Sequence, residues 1–104
     1  MSPYEASLLD TCLLALRERE PDLKKRGVLH AGIFGSVARR QDHADSDIDV
    51  AVEIKSGMGF GTSGLLDLER ELTSIFQRRT EVFSLGGFKP AKHREVYREL
   101  IWAF

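Results

Sequence analysis

The segment 47–54, DIDVAVEI, alternates between apolar and mostly acidic residues along its whole length. Side chains of a β-strand point alternately to opposite faces, so this pattern predicts a strand with one apolar and one acidic face. The apolar face carries Ile48, Val50, Val52 and Ile54. The other face carries Asp47, Asp49, Ala51 and Glu53. Because a one-residue shift in pairing would exchange the two faces, this strand cannot hide its acids without exposing its apolar residues.

Two further strands and three helices are predicted around this segment. Short apolar runs at 28–34 and 80–85 predict strands. Apolar residues at helical spacing predict a helix that ends at Pro21, a second over 65–76 and a third from Pro90 onward. The order is helix, strand, turn, strand, helix, strand, helix, which indicates an α/β (α+β) fold. We expect a small mixed β-sheet with helices packed on one face.

Composition limits the classes of protein that this chain can represent. Its 104 residues predict one domain, 1–104, and 42% hydrophobic with 30% charged residues is ordinary for a globular protein. The formal net charge of −1 gives no broad positive field, so no direct binding of nucleic acid is expected. We also expect no membrane association, because no apolar run approaches the roughly 20 residues of a membrane span. The single cysteine, Cys12, and the lack of a leader pattern predict a cytoplasmic protein.

The two acids at the start of the alternating strand are the first candidate site residues. Asp47 and Asp49 project from one face with backbones about 6–7 Å apart. Carboxylates so placed can converge on one cation, and their hard oxygen ligands suit Mg²⁺ or Mn²⁺. The alternative is that the two acids merely solvate an exposed strand face, which is common for an isolated Asp-x-Asp.

Gly35 and Ser36 come directly after the predicted strand 28–34 and open a short helical turn. A glycine lets the backbone approach an anion closely, and the turn's free N–H groups with the Ser36 hydroxyl can bind phosphate oxygens. Alone, a Gly-Ser after a strand is a common turn. Gly-Ser followed after ten residues by Asp-x-Asp on an amphipathic strand is much more specific.

This arrangement, G-S-V-A-R followed by S-D-I-D-V, resembles the signature of the DNA polymerase β-like nucleotidyltransferase superfamily. It is most similar to the minimal nucleotidyltransferases (MNT) that act as antitoxins of HEPN-domain toxins. The resemblance implies the polymerase β-like nucleotidyltransferase fold, two Mg²⁺ ions and ATP or another nucleoside triphosphate. By resemblance, Asp47 and Asp49 hold the metal ions, while Gly35 and Ser36 bind the triphosphate.

Other residues take roles by the same resemblance, each with a plainer alternative. Glu81, on the predicted third strand, is the candidate third metal ligand and catalytic carboxylate, where the family usually carries Asp; otherwise it is a surface residue. Arg39 either contacts phosphate, braces the turn or forms a surface ion pair. Ser46 is a weaker candidate for phosphate contact than Ser36. Arg40 departs from the family, many members of which carry glycine there.

The resemblance implies transfer of AMP from ATP to a hydroxyl acceptor, namely a tyrosine of a partner HEPN toxin. The chain is then a Mg²⁺-dependent protein adenylyltransferase and an antitoxin. A binding protein that neutralises its partner by contact alone is the second hypothesis, because of the glutamate at position 81. A small-molecule acceptor such as an aminoglycoside is a third, although relatives of that kind carry an added helical domain. The sequence leaves the base preference and the homo- or hetero-oligomeric state open.

Overall fold

The computed structural model describes residues 7–104, which contain a four-stranded β-sheet. Its strands are β1 (Val28–Phe34), β2 (Ile48–Ile54), β3 (Thr80–Ser84) and β4 (Ile101–Trp102). The helices are α1 (Leu8–Glu18), α2 (Glu20–Lys25), α3 (Gly35–Ala38), α4 (Gly61–Phe76) and α5 (Pro90–Glu99). A 3₁₀ turn, Leu85–Gly87, follows β3.

The sheet is mixed, as predicted. Its order is β3-β2-β1-β4, with β1 antiparallel to both β2 and β4 and β2 parallel to β3. The parallel pair needs a crossover, and α4 supplies it between the two strands. The order of the three predicted strands and the α/β class are confirmed.

One face of the sheet carries the main core. Helices α1, α2, α3 and α4 pack here against alternate residues of β1 and β2. The fully buried members of this core include Leu16, Leu23, Ile33, Ile48, Val50, Val52, Leu68 and Leu72. Cys12 belongs to the same core, and burial raises the pKa of its thiol to about 12, so it packs as a small apolar residue rather than as a nucleophile.

The opposite face of the sheet is only partly covered. A second, smaller cluster lies there, formed by Phe34, Ala51, Leu85 and Val96. Val96 belongs to α5, so this last helix packs on the face opposite to the main core. The expectation that the helices pack on one face therefore holds for α1 to α4, which contribute to the main core, and is wrong for α5.

The first helix does not end at Pro21, so that prediction is wrong. The chain leaves α1 at Arg19, and Pro21 lies in the first turn of the next helix, α2. Proline suits this place because the first N–H groups of a helix have no partner within it, and because its fixed φ is already helical. Ser7 caps α1 by accepting a hydrogen bond from the Asp10 N–H (3.1 Å).

The chain finishes in a strand that the sequence did not predict. We expected the last helix to continue, but α5 ends at Glu99 and β4 adds an edge to β1. Gly32 permits this pairing, because a Cβ there would come within 2.7 Å of the Ile101 carbonyl oxygen. Within residues 7–104, no helix has the length and apolarity to cross a membrane.

Candidate active site

Three acidic side chains lie at one end of the partly covered face. Asp49 is in β2, and Asp47 immediately precedes that strand. Glu81 in β3 pairs directly with Asp49 in the parallel ladder. Neighbouring strands are about 4.8 Å apart, and residues in register share a face, so Asp49 and Glu81 stand side by side. The structure thus brings together the three carboxylates proposed from the sequence, and their role as ligands stays a prediction.

Gly35 brings the turn after β1 against Asp49. Phe34, the last residue of β1, pairs with Asp49, so the chain reaches Gly35 just as it passes this carboxylate. Gly35 has a φ of +79°, which favours glycine. A Cβ built on it would overlap Oδ2 of Asp49. Glycine is therefore required at position 35 for two reasons: the positive φ of the backbone and the close approach of the Asp49 carboxylate.

Asp49 lies in an environment that disfavours its negative charge. Its pKa is raised from the ordinary 3.8 to about 6, first by burial and then by the charges of Glu81, Asp47 and Glu99. Lys92 opposes this shift by a smaller amount. Repulsion among carboxylates on one site is relieved when a cation binds between them. This charge balance suits a site for a divalent cation.

The cation already beside the acids is the guanidinium of Arg79. It contacts Oε1 of Glu81 at 3.1 Å and lies 3.9 Å from Oδ2 of Asp47. The Arg79 side chain is 73% exposed, so these ion pairs are weakly held. As the side chains stand, no three His, Cys, Asp or Glu residues in the described part of the chain converge closely enough to enclose a metal ion.

A fourth carboxylate, from α5, reaches the turn at Gly35. Glu99 accepts a hydrogen bond from the Gly35 N–H at 2.9 Å and another from Nη1 of Arg39 at 2.8 Å. Nε of Arg39 donates to the side chain of Gln41 at 3.1 Å. Arg39 thus forms an ion pair that links the turn to α5, and its contact with a phosphate stays a prediction.

The two candidate serines differ in their surroundings. Ser36 is the only partly exposed residue of α3, whose other members Gly35, Val37 and Ala38 are buried. Ser46 is 7% exposed, and its hydroxyl accepts a hydrogen bond from the His43 N–H at 2.9 Å. Ser46 therefore stabilises the loop before β2, and a contact between Ser46 and nucleotide stays a prediction.

An open cleft of about 680 Å³ lies next to the acids, between α4 and β3. Its lining residues include Glu69, Thr73, Arg79 and Glu81. Thr73 Oγ1 accepts a hydrogen bond from the Thr80 N–H (3.1 Å), and Glu69 accepts one from the Val82 N–H (3.3 Å). These bonds cover donors on the outer edge of β3, so the cleft suits a bound molecule better than an added strand.

Two residues of this site were missed from the sequence, Arg79 and Glu99. Arg79 stands two positions before Glu81, the spacing that places both on one face of an extended chain. Glu99 is an acid at the C-terminal end of a helix, where the helix dipole disfavours negative charge. Both signals are present in the sequence, but neither says which distant residues the side chain meets.

Residues 21–101 match the family described as Polymerase beta, Nucleotidyltransferase. A relative from Methanocaldococcus jannaschii, "Putative protein adenylyltransferase MJ0435", is 33% identical over 78% of this chain and 85% of its own length. "Protein adenylyltransferase MntA" of Thermococcus cleftensis is 30% identical over 84% of this chain and 87% of its own.

Solved structures agree with these matches. One described as a "putative minimal nucleotidyltransferase" is 29% identical, with a TM-score of 0.73 over 94% of this chain and 97% of that chain. A toxin–antitoxin complex with AMP-PNP contains a chain 18% identical, with a TM-score of 0.70 over 85% of this chain and 72% of that one. At that identity the second likeness shows the fold alone.

Proposed function

Since the chain belongs to the polymerase β nucleotidyltransferase family, we propose that it transfers AMP from ATP to a hydroxyl group of another protein. The observation that carries this proposal is the packing of Gly35 against Asp49, with Glu81 in register beside it. That geometry joins the turn proposed to bind phosphate to a cluster of carboxylates. The two relatives named protein adenylyltransferases support the choice of acceptor class.

The carboxylates of Asp47, Asp49 and Glu81 would hold the two Mg²⁺ ions. Their oxygen donors fit this metal, and the raised pKa of Asp49 reflects burial and then crowded negative charge, which a cation relieves. When bound, the two ions stabilise the attacking and leaving oxygens of an in-line displacement. As the side chains stand, Glu81 contacts Arg79 and the three carboxylates do not enclose a common point.

The turn after β1 would bind the triphosphate. Ser36 presents its hydroxyl from α3, while Gly35 keeps this turn against Asp49. Arg39 and Ser46 are further candidates for phosphate contact, once their present hydrogen bonds are exchanged. The acceptor oxygen would form a bond to the α-phosphorus, the bond to pyrophosphate would break, and the hydroxyl proton would pass to water.

The acceptor is proposed to be a tyrosine hydroxyl of a HEPN-domain toxin, which makes this chain the antitoxin of the pair. The support is the resemblance to minimal nucleotidyltransferases and the shared fold with a chain of crystallised toxin–antitoxin complexes. Silencing the toxin by a covalent AMP group requires only brief contact between the two proteins, unlike inhibition by tight binding.

Mass spectrometry of the partner tests this proposal. The chain is incubated with a HEPN-domain toxin, ATP and Mg²⁺, and the toxin is expected to gain the mass of one or more AMP groups on a tyrosine. Asp49→Ala should abolish the gain. Glu53→Ala is the matched control, because Glu53 lies on the same face of β2, exposed and at the far end from the acids. A gain that persists in Asp49→Ala would overturn the assignment.

Neutralisation by contact alone remains the second candidate. Two observations favour it: the glutamate at position 81 already pairs with Arg79, and the described carboxylates do not enclose a metal ion. In that case the toxin would be silenced with its mass unchanged, and Asp49→Ala would silence it equally well. Glu81→Asp, which restores the family's usual residue, would then create no activity.

A further inference from the structure

Helix α5 ends in a residue that its own helix does not favour. Glu99 is the last helical residue, where carbonyl oxygens without partners give the helix end a partial negative charge. A carboxylate there is unfavourable, whereas the basic residue one position earlier, Arg98, follows the rule. An acid that breaks a local rule needs a compensating interaction elsewhere in the fold.

The compensation lies at α3. One oxygen of Glu99 accepts the Gly35 N–H, at the first residue of α3, and the other accepts Nη1 of Arg39, at the residue that ends it. A single carboxylate therefore joins both ends of this one-turn helix to α5. The Glu99 side chain is 25% exposed, against 31% for Glu81 and 39% for Asp47, so solvent screens its bonds somewhat less than theirs.

A helix as short as α3 cannot hold its own shape. Four residues make about one turn, and forming a first turn costs more than its hydrogen bonds return. Gly35 adds to this cost, because glycine loses the most conformational freedom when it is ordered. Contacts outside the turn must therefore hold it. Packing of Val37 and Ala38 in the main core holds one side. Glu99 holds both ends, and Ser36 lies between them.

We infer that Glu99 is a positioning residue, which holds α3 so that the Ser36 hydroxyl and the Asp49 carboxylate face one bound nucleotide. This inference rests on the proposed function and deepens it. Glu99 itself does not touch the reacting atoms in this arrangement. Its contacts also explain why Arg39 stays beside the turn, where its guanidinium balances the Glu99 charge.

The test compares Glu99→Ala, Glu99→Gln and the control Glu95→Ala. Glu95 lies one helical turn earlier on α5, and within residues 7–104 its one ion pair is an exposed contact with Lys92, at 3.8 Å. Binding of Mg²⁺–AMP-PNP is measured by calorimetry, with KM and kcat for ATP where transfer is detected. Glu99→Ala should weaken nucleotide binding and raise KM on the order of 10- to 100-fold, the range for lost hydrogen bonds to a charged group.

Glu99→Gln should restore part of the binding, because its amide oxygen can still accept the Gly35 N–H while the ion pair with Arg39 is lost. We expect a deficit of about 2- to 5-fold for this variant. Amide hydrogen exchange of the chain without nucleotide gives an independent readout. The Gly35 amide should exchange faster in Glu99→Ala and stay protected in Glu99→Gln and in the Glu95→Ala control.

The outcomes separate the inference from the proposed function. If the wild type binds nucleotide and Glu99→Ala binds it equally well, the inference is overturned and the proposed function stands. If Glu99→Ala loses stability but keeps its KM, Glu99 is merely structural, and the inference is again overturned. If the wild type fails to bind AMP-PNP, the proposed function falls, and the exchange of the Gly35 amide still decides whether Glu99 holds the turn.

Discussion

The two faces of strand β2 differ in whether the surroundings of their side chains are favourable. On one face Ile48, Val50 and Val52 are completely buried, and their apolar side chains pack in the main core with those of the helices. On the other face Asp49 stands beside Glu81, with a pKa raised by burial and by repulsion between carboxylates. The first face stabilises the fold, whereas the second keeps an unfavourable arrangement of charge that a bound cation or a neighbouring cationic side chain relieves. Substitutions on the two faces should therefore change stability in opposite directions.

The largest effect on stability is expected for Leu68→Ala. Leu68 of α4 is fully buried in the main core, and truncation of such a leucine removes apolar contacts and leaves a cavity. We expect the free energy of unfolding to fall by about 2–5 kcal/mol, measured by urea denaturation. Leu66→Ala is the control, since Leu66 lies on the same helix and is 46% exposed; its change should stay within about 0.5 kcal/mol. Equal losses for both would contradict the assignment of the main core.

Gly35→Ala should lower both the stability and the activity of the protein, because Gly35 is buried and lies against Asp49. Alanine at a φ of +79° costs about 1–2 kcal/mol through the backbone alone, and its Cβ would push Asp49 aside. Stability and adenylyl transfer should therefore fall together, measured by urea denaturation and by mass spectrometry of the partner. Gly87→Ala is the control, because nothing lies within 4 Å of a Cβ at Gly87. A Gly35→Ala variant with full activity would show that this close approach is not needed.

Much of this comparison could be predicted from residues close in sequence. The alternation in 47–54 predicted both faces of β2, and the Gly-Ser and Asp-x-Asp signature indicated that acids of this strand lie beside the turn, where Asp49 is found. These features succeed because a strand's period of two and a single turn are local properties of the chain. The apolar runs at 28–34 and 80–85 likewise matched β1 and β3, to within one residue at the end of β3.

The features that were missed depend on contacts between distant residues. Strand β4 has two residues, too few for any alternation, and exists because Gly32 lets it approach β1. The bond from Glu99 to Gly35 spans 64 positions, so no local pattern shows it. Pro21 was read as the end of a helix because proline breaks helix interiors, although it equally favours the first turn of the next helix.

Asp49→Asn should stabilise the protein without metal, in contrast to Leu68→Ala. A raised pKa means that the folded state binds the Asp49 proton more tightly than the unfolded state does. The stability that this group contributes is therefore fully present below about pH 3.8. It is lost as the pH rises through about 6, the pKa of Asp49 in the folded state. Asparagine resembles the protonated acid at every pH. Its variant should match the wild type at pH 4 and be more stable at pH 7.5, by no more than about 1 kcal/mol because solvent screens the carboxyl.

Thermal unfolding in EDTA at the two pH values measures this difference. Adding Mg²⁺ at pH 7.5 should raise the Tm of the wild type and leave that of Asp49→Asn unchanged, because the variant lacks a ligand. If Asp49→Asn is less stable than the wild type at pH 7.5 in EDTA, the contacts of the Asp49 carboxylate are favourable on balance and outweigh its repulsion by neighbouring acids. The proposed contrast between the two faces of β2 would then be wrong.

The smallest effect is expected for Arg79→Gln, which removes the guanidinium that competes with a metal ion for the acids. Exposed ion pairs contribute about 0.2–1 kcal/mol, so freeing Glu81 and Asp47 should tighten Mg²⁺ binding by about 1.5- to 5-fold in the absence of nucleotide. Calorimetric titration with Mg²⁺ measures this change directly. Arg70→Gln is the control, because Arg70 is 80% exposed in the same cleft and pairs only with Asp67, at 3.7 Å. Both variants lose one positive charge near the acids, so tighter Mg²⁺ binding in both would reflect the change in net charge. Tighter Mg²⁺ binding in Arg79→Gln alone would show that Arg79 and the metal ion share the same carboxylates.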